Sequence, residues 1–136
     1  MRYPKFLSQN ERIGFIAPSF GCAGLEPYYS RFQSALLYFR AMGYKTVCGP
    51  NVFLDKGIGK SNTPSECGLE INDFFLDDRS DIIISASGGE TMCEDLDHVD
   101  FIGRKVLGDT GFLRMKILTL ADLFPDGLDF LRIVSA

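Results

Sequence analysis

Residues 81–92 read DIIISASGGETM. The consecutive isoleucines Ile82, Ile83 and Ile84 place β-branched side chains on both faces of one strand, the pattern of a parallel strand covered on both sides. Gly88 and Gly89 follow at once, and a strand-to-helix turn this tight predicts positive φ and close backbone approach at the pair. Thr91 to Leu96 then begins a helix. Free N–H groups of such a turn, with the helix N-terminus behind them, form an anion or oxyanion site. The alternative is that the glycines only make the turn.

Working outward, residues 13–17 (IGFIA) form a buried first strand that Pro18, Ser19, Phe20 and Gly21 bring to an end. Apolar positions Tyr28, Tyr29, Phe32, Ala35, Leu36, Phe39 and Met42 recur at helical intervals, so residues 26–42 are an amphipathic helix. Gly43 stands where a helix C-cap belongs. Residues 44–48 are a second strand closed by Gly49 and Pro50. A loop over 51–62 follows. Thr63, Pro64 and Glu66 then have the chemistry of a helix entry, and the helix continues through Leu69, Ile71, Phe74 and Phe75. The resulting order predicts an α/β fold with a mainly parallel sheet and helices on both faces. Ligands in such sheets gather at the carboxyl ends of the strands, which points to the loops at 17–19 and 85–92.

Composition narrows the function further. With 136 residues the chain has room for one ordinary domain, and its 46% apolar and 24% charged residues are those of a globular protein. A net charge of −4 without a basic block argues against nucleic acid as a partner. No apolar run approaches the roughly 20 residues of a membrane span, and nothing at the N-terminus resembles an export signal. Cys22, Cys48, Cys67 and Cys93 contain no C-x-x-C pair and His98 is the one histidine, so no metal site is expected. Reduced thiols in the cytoplasm are the corresponding expectation.

Among candidate side chains, Ser85 and Ser87 lie in or beside the strand, where hydroxyls bond to backbone. Ser19 is either a turn serine or a group that meets a substrate carboxylate. His98 reads as a surface histidine. Glu90, Glu94, Asp95 and Asp97 cluster at the helix start, where the dipole favours acids, and read as a solvated face.

Three segments, ERIGFIAPS (11–19), AMGYKTV (41–47) and EINDFFLDDRSDIIISASGGETMCEDLDHVDF (70–101), resemble the N-terminal domain of the LD-carboxypeptidase and microcin C immunity proteins, a family of serine peptidases. The resemblance implies a flavodoxin-like or class I glutamine amidotransferase-like domain over 1–101, with 102–136 as a divergent tail. It implies a nucleophile on the fifth residue from Gly88, with a second domain supplying a glutamate and a histidine. The Asp100-Phe101 pair stands where the family carries Asp followed by an aromatic. On the same basis Gly88, Gly89 and Cys93 would supply oxyanion N–H groups, and Ser19 and Glu90 would meet the substrate. That substrate is a small peptide or peptidyl-nucleotide, without a cofactor or metal, and a homodimer is the usual family assembly.

The nucleophile position is Met92 here. A thioether has no proton to lose and cannot attack a carbonyl, so the serine mechanism has no route through it. Cys93 is adjacent and Thr91 lies on the other side, but a one-residue shift turns a helical side chain by about 100°. The expectation is a catalytically incomplete half of a peptidase, with a carboxylate- or phosphate-binding module, or a gene fragment without function, as alternatives. Two readings of the tail stand: a change of reading frame after the family-like segment, or a genuine helix over 111–124, where Phe112, Met115, Leu118, Leu120 and Leu123 have roughly helical spacing.

Overall fold

A computed structural model of the chain describes residues 7–22, 26–77, 79–89 and 91–100, together with the backbone of 118–119. Four strands, β1 (Arg12–Ile16), β2 (Lys45–Cys48), β3 (Ile82–Ser85) and β4 (Leu118–Thr119), form one sheet in the order β2-β1-β3-β4. Every pairing is parallel, with Gly14 opposite both Val47 and Ile83. The sheet is the parallel one expected.

Alternation along the strands builds two cores. Ile13, Phe15, Ala17, Ile84 and Ala86 point to one face and meet Phe32 and Leu36 of α1 (Tyr28–Ala41). Phe15 and Phe32 pack edge to face at 5.3 Å, a favoured aromatic geometry. Ile16 and Ile83 point to the other face, against Ile71 and Phe74 of α2 (Pro64–Leu76) and against Val99. Helices thus cover both sides of the sheet, which is why the isoleucine run has no solvent-facing member pattern.

The entry to α2 follows its local chemistry. Thr63 has extended backbone, its Oγ1 accepts the Glu66 N–H at 3.4 Å, and Pro64 takes the first helical position. Because the bond is long, Thr63→Ala is expected to lower stability by only about 0.5–1 kcal/mol, read as a small shift of the urea midpoint at constant slope.

Two sequence expectations change. The segment after β3 is a 3-10 helix, Thr91–His98, longer than the stretch to Leu96. Its far end is pinned to α2: the Asn72 side chain donates to the His98 carbonyl at 2.9 Å and accepts the Asp100 N–H at 2.8 Å. The helix considered over 111–124 is corrected at Leu118–Thr119, which pair with Ile84 and Ser85 as a strand. An exposed polar edge beside β3 is better satisfied by ladder bonds than by helical periodicity in the added segment. The rest of that segment, and the proposed boundary at residue 101, lie outside the described residues.

Candidate functional site

The loops leaving β1, β2 and β3 meet at the carboxyl edge of the sheet. After β1, residues 17–19 are tied from three directions. The Ala17 N–H donates to Glu70 Oε2 at 2.8 Å, the Ser61 hydroxyl donates to the Ala17 carbonyl at 2.6 Å, and the Ser61 N–H donates to the Ser19 carbonyl at 2.5 Å. Ser19 is buried, and its Oγ lies 2.7 Å from Thr91 Oγ1, so the β1 loop and the segment after β3 share a hydroxyl–hydroxyl bond. Both hydroxyls also reach the Gly59 carbonyl at 3.4 Å.

The two elbow glycines differ. Gly89 has φ of +154°, and a Cβ there would land on the Ser19 hydroxyl. This is the close approach expected of the pair. Gly88 has neither feature: its φ is not positive and a Cβ would have nothing within 4 Å. The turn needs its special geometry at one residue only, because only Gly89 passes the β1 loop.

Ser19, Thr91, Lys60, Asn62 and Asp95 line a shallow cleft that opens to solvent and encloses no water-sized space. Lys60 and Glu94 form an ion pair of 2.9 Å across its rim, too exposed to contribute much stability. Asp95 corrects the reading of a solvated acidic face. It is 2% exposed, and its Oδ2 has no hydrogen-bond partner among the described residues. Burial pushes its carboxyl up to about 7, with the charges of Glu94 and Glu70 adding to the rise and Lys60 opposing it. Glu94, Asp97 and His98 are exposed, as a surface face requires.

The remaining sequence candidates are placed as follows. Met92 and Cys93 are both exposed and do not line the cleft. The Ser85 hydroxyl donates to the Ser87 carbonyl at 2.5 Å, a local backbone bond. Glu90 lies outside the described residues. Among the described residues no three His, Cys, Asp or Glu side chains gather where a metal ion would sit.

Glu70 was not singled out by sequence reasoning. It is 3% exposed on α2, where Cys67, Glu70, Ile71 and Phe74 are all buried. A charge inside an apolar helical stripe was the available signal. Burial raises its pKa, while hydrogen bonds from the Ala17 and Asn51 backbone and from the Asn51 side chain lower it.

The family model for the LD-carboxypeptidase N-terminal domain matches residues 13–107, a span that includes the sheet loops, the elbow and the cleft. The chain belongs to this family. Its domain is also similar to solved structures. The microcin C7 self-immunity protein MccF in its wild-type apo state is 21% identical with a TM-score of 0.68, covering 80% of this chain and 31% of that one. MccF in complex with aspartyl sulfamoyl adenosine is 23% identical with a TM-score of 0.64, covering 74% of this chain and 29% of that one. An MccF-like protein from Streptococcus pneumoniae in complex with AMP is 20% identical with a TM-score of 0.59, covering 71% and 28%. At this identity the likeness shows the fold, and the chain spans less than a third of each of these proteins. No curated protein matches the chain. Among the described residues of this LD-carboxypeptidase-like domain, no helix is long and apolar enough to cross a membrane.

Proposed function

We propose that the LD-carboxypeptidase-like domain offers the carboxyl edge of its sheet to a small ligand with an anionic end. That end is a peptide carboxylate, as in a murein tetrapeptide, or the phosphate of a peptidyl-nucleotide, held between residues 17–19 and the Gly88-Gly89 elbow. The observation that carries this reading is the 2.7 Å contact of Ser19 with Thr91, which makes the β1 loop and the elbow one surface. Backbone N–H groups at such an elbow attract negative charge. AMP and aspartyl sulfamoyl adenosine are ligands of the MccF structures similar in fold.

Cleavage by a serine mechanism is not part of the proposal. Met92 occupies the expected nucleophile position with a side chain that has no proton to give. Cys93 is exposed and does not line the cleft, and the Thr91 hydroxyl is engaged with Ser19. Buried thiols at Cys22 and Cys67 suit a reducing, cytoplasmic compartment.

Calorimetry with a murein tetrapeptide and with a non-hydrolysable aminoacyl-nucleotide analogue tests the reading, with chromatography of the incubated tetrapeptide alongside. Saturable binding with an intact peptide is the expected result. Turnover by the purified chain would overturn the assignment of Met92 as a block, and absence of binding to both compounds would sink the ligand reading.

A further inference from the structure

We infer that Glu70 is the positioning residue of this ligand-facing edge: one buried carboxylate fixes the loops that leave β1 and β2, and through them sets where Ser19 stands against the elbow. The inference rests on the ligand reading for its functional meaning, while its geometry stands apart from it.

Glu70 does not line the cleft and meets the ligand-facing loop only through backbone N–H groups, so it acts through the backbone. Its Oε2 accepts the Ala17 N–H and its Oε1 accepts the Asn51 N–H, each at 2.8 Å. Ala17 directly follows the central strand β1, and Asn51 carries the next N–H after β2 beyond Gly49, whose own N–H donates to the Phe15 carbonyl, and Pro50, which has none. An ionised carboxylate is acceptor-only and can take one N–H on each oxygen. Such charge-assisted bonds are stronger than neutral ones and hold direction well. Asn51 extends the clamp: its Nδ2 donates to the Glu66 carbonyl at 3.1 Å and its Oδ1 accepts from Asn62 Nδ2 at 2.9 Å. Asn62 is itself on the cleft. From the other oxygen the path is shorter still, since Ala17 is two residues from Ser19.

Gly49 gives independent support. A Cβ at this position would land on the Glu70 carboxylate, so the chain leaves β2 through a residue without a side chain where the carboxylate needs the space. Burying a carboxylate is costly unless its oxygens are satisfied. Here one oxygen is spent on the β1 loop of the ligand surface and the other on the loop after β2.

Glu70→Gln separates positioning from bulk. Glutamine keeps the shape but presents one acceptor and one donor, so one of the two backbone N–H groups meets an N–H in place of an oxygen. In the full chain, well below its melting temperature, Glu70→Gln is expected to weaken binding of the tetrapeptide or the nucleotide analogue by about tenfold. Amide resonances of Ala17 and Asn51 should lose their hydrogen-bond shift, and those of Ser19 and Thr91 should move with them. A purely structural role would lower the melting temperature yet leave the folded protein's affinity unchanged. A folded variant that binds within about twofold of the wild type therefore overturns the inference.

Should Glu70→Gln fail to fold, Gly49→Ala displaces the carboxylate while keeping its chemistry, and the same readings apply to it. If the wild type binds neither compound, the ligand reading fails alone. The amide spectra still decide the positioning role, which is overturned if Ser19 and Thr91 stay in place when the Glu70 bonds are lost.

Discussion

Asp95→Asn is expected to stabilise the domain by about 2–4 kcal/mol at pH 8 and by little at pH 4. The wild-type carboxyl is buried with one oxygen unpartnered among the described residues, and burial, with Glu94 and Glu70 nearby, moves it from 3.8 to about 7. In the folded chain it keeps its proton to about pH 7, whereas the unfolded chain releases it near 3.8. Between those values the folded state binds more protons, so stability falls as pH rises through this window. The contribution of the neutral acid is complete below about 3.8 and gone above about 7. A spread of about three pH units at 1.36 kcal/mol each sets the upper end of the range. Asparagine has nearly the same shape and cannot ionise.

Urea unfolding across pH 4 to 8 checks this. The wild type should lose stability with rising pH, and the variant should lose distinctly less. Some slope will remain, since burial also raises the pKa of Glu70. Equal slopes for the two proteins would mean that the Asp95 carboxyl is hydrated or paired in solution.

The second large effect is expected at the elbow, where two adjacent glycines should respond in opposite ways. Gly89→Ala puts a Cβ on the Ser19 hydroxyl at a φ of +154°, which L-residues rarely adopt. Steric overlap and backbone strain together are worth about 2–4 kcal/mol. The same change pushes Ser19 away from Thr91, so the proposed ligand surface should open as well. Gly88→Ala meets nothing within 4 Å. Its effect should stay within about 0.5 kcal/mol. Thermal unfolding of the two single variants is the direct comparison, and similar losses would contradict the contact. A double-mutant cycle adds a control: combining Gly89→Ala with Ser19→Gly should recover part of the loss, because the two side chains compete for one space.

These predictions follow different routes from the sequence. The Gly89 constraint was visible in the residues, because a double glycine directly after a β-branched run has few uses other than a tight turn. Which glycine carried it was not visible, since that depends on the Ser19 loop arriving from 70 residues earlier. Asp95 was misread for a related reason. At a helix start, among Glu94 and Asp97, an acid looks solvated, and only the packing of the 3-10 helix onto α2 buries one member of the group.

The site shows the same division. That the loops after β1 and β3 would be neighbours follows from a parallel sheet with β1 central, and the order of elements already implied it. The bond between Ser19 and Thr91 does not follow, because two hydroxyls 72 residues apart leave no periodic trace. Glu70 left a fainter mark, a charge within the buried stripe of α2. Its partners lie 53 and 19 residues away, beyond any local pattern.

Strand identity, the capped entry to α2 and helices on both faces were thus settled by residues a few positions apart, because side-chain alternation, helical spacing and caps act over that range. The family likeness rested on the same ordered segments. The buried acid, the carboxylate clamp, the hydroxyl pair and the edge strand at Leu118–Thr119 were decided by tertiary structure. Burial and hydrogen-bond partnership are properties of surfaces that meet only after the sheet has assembled, and no single segment carries them.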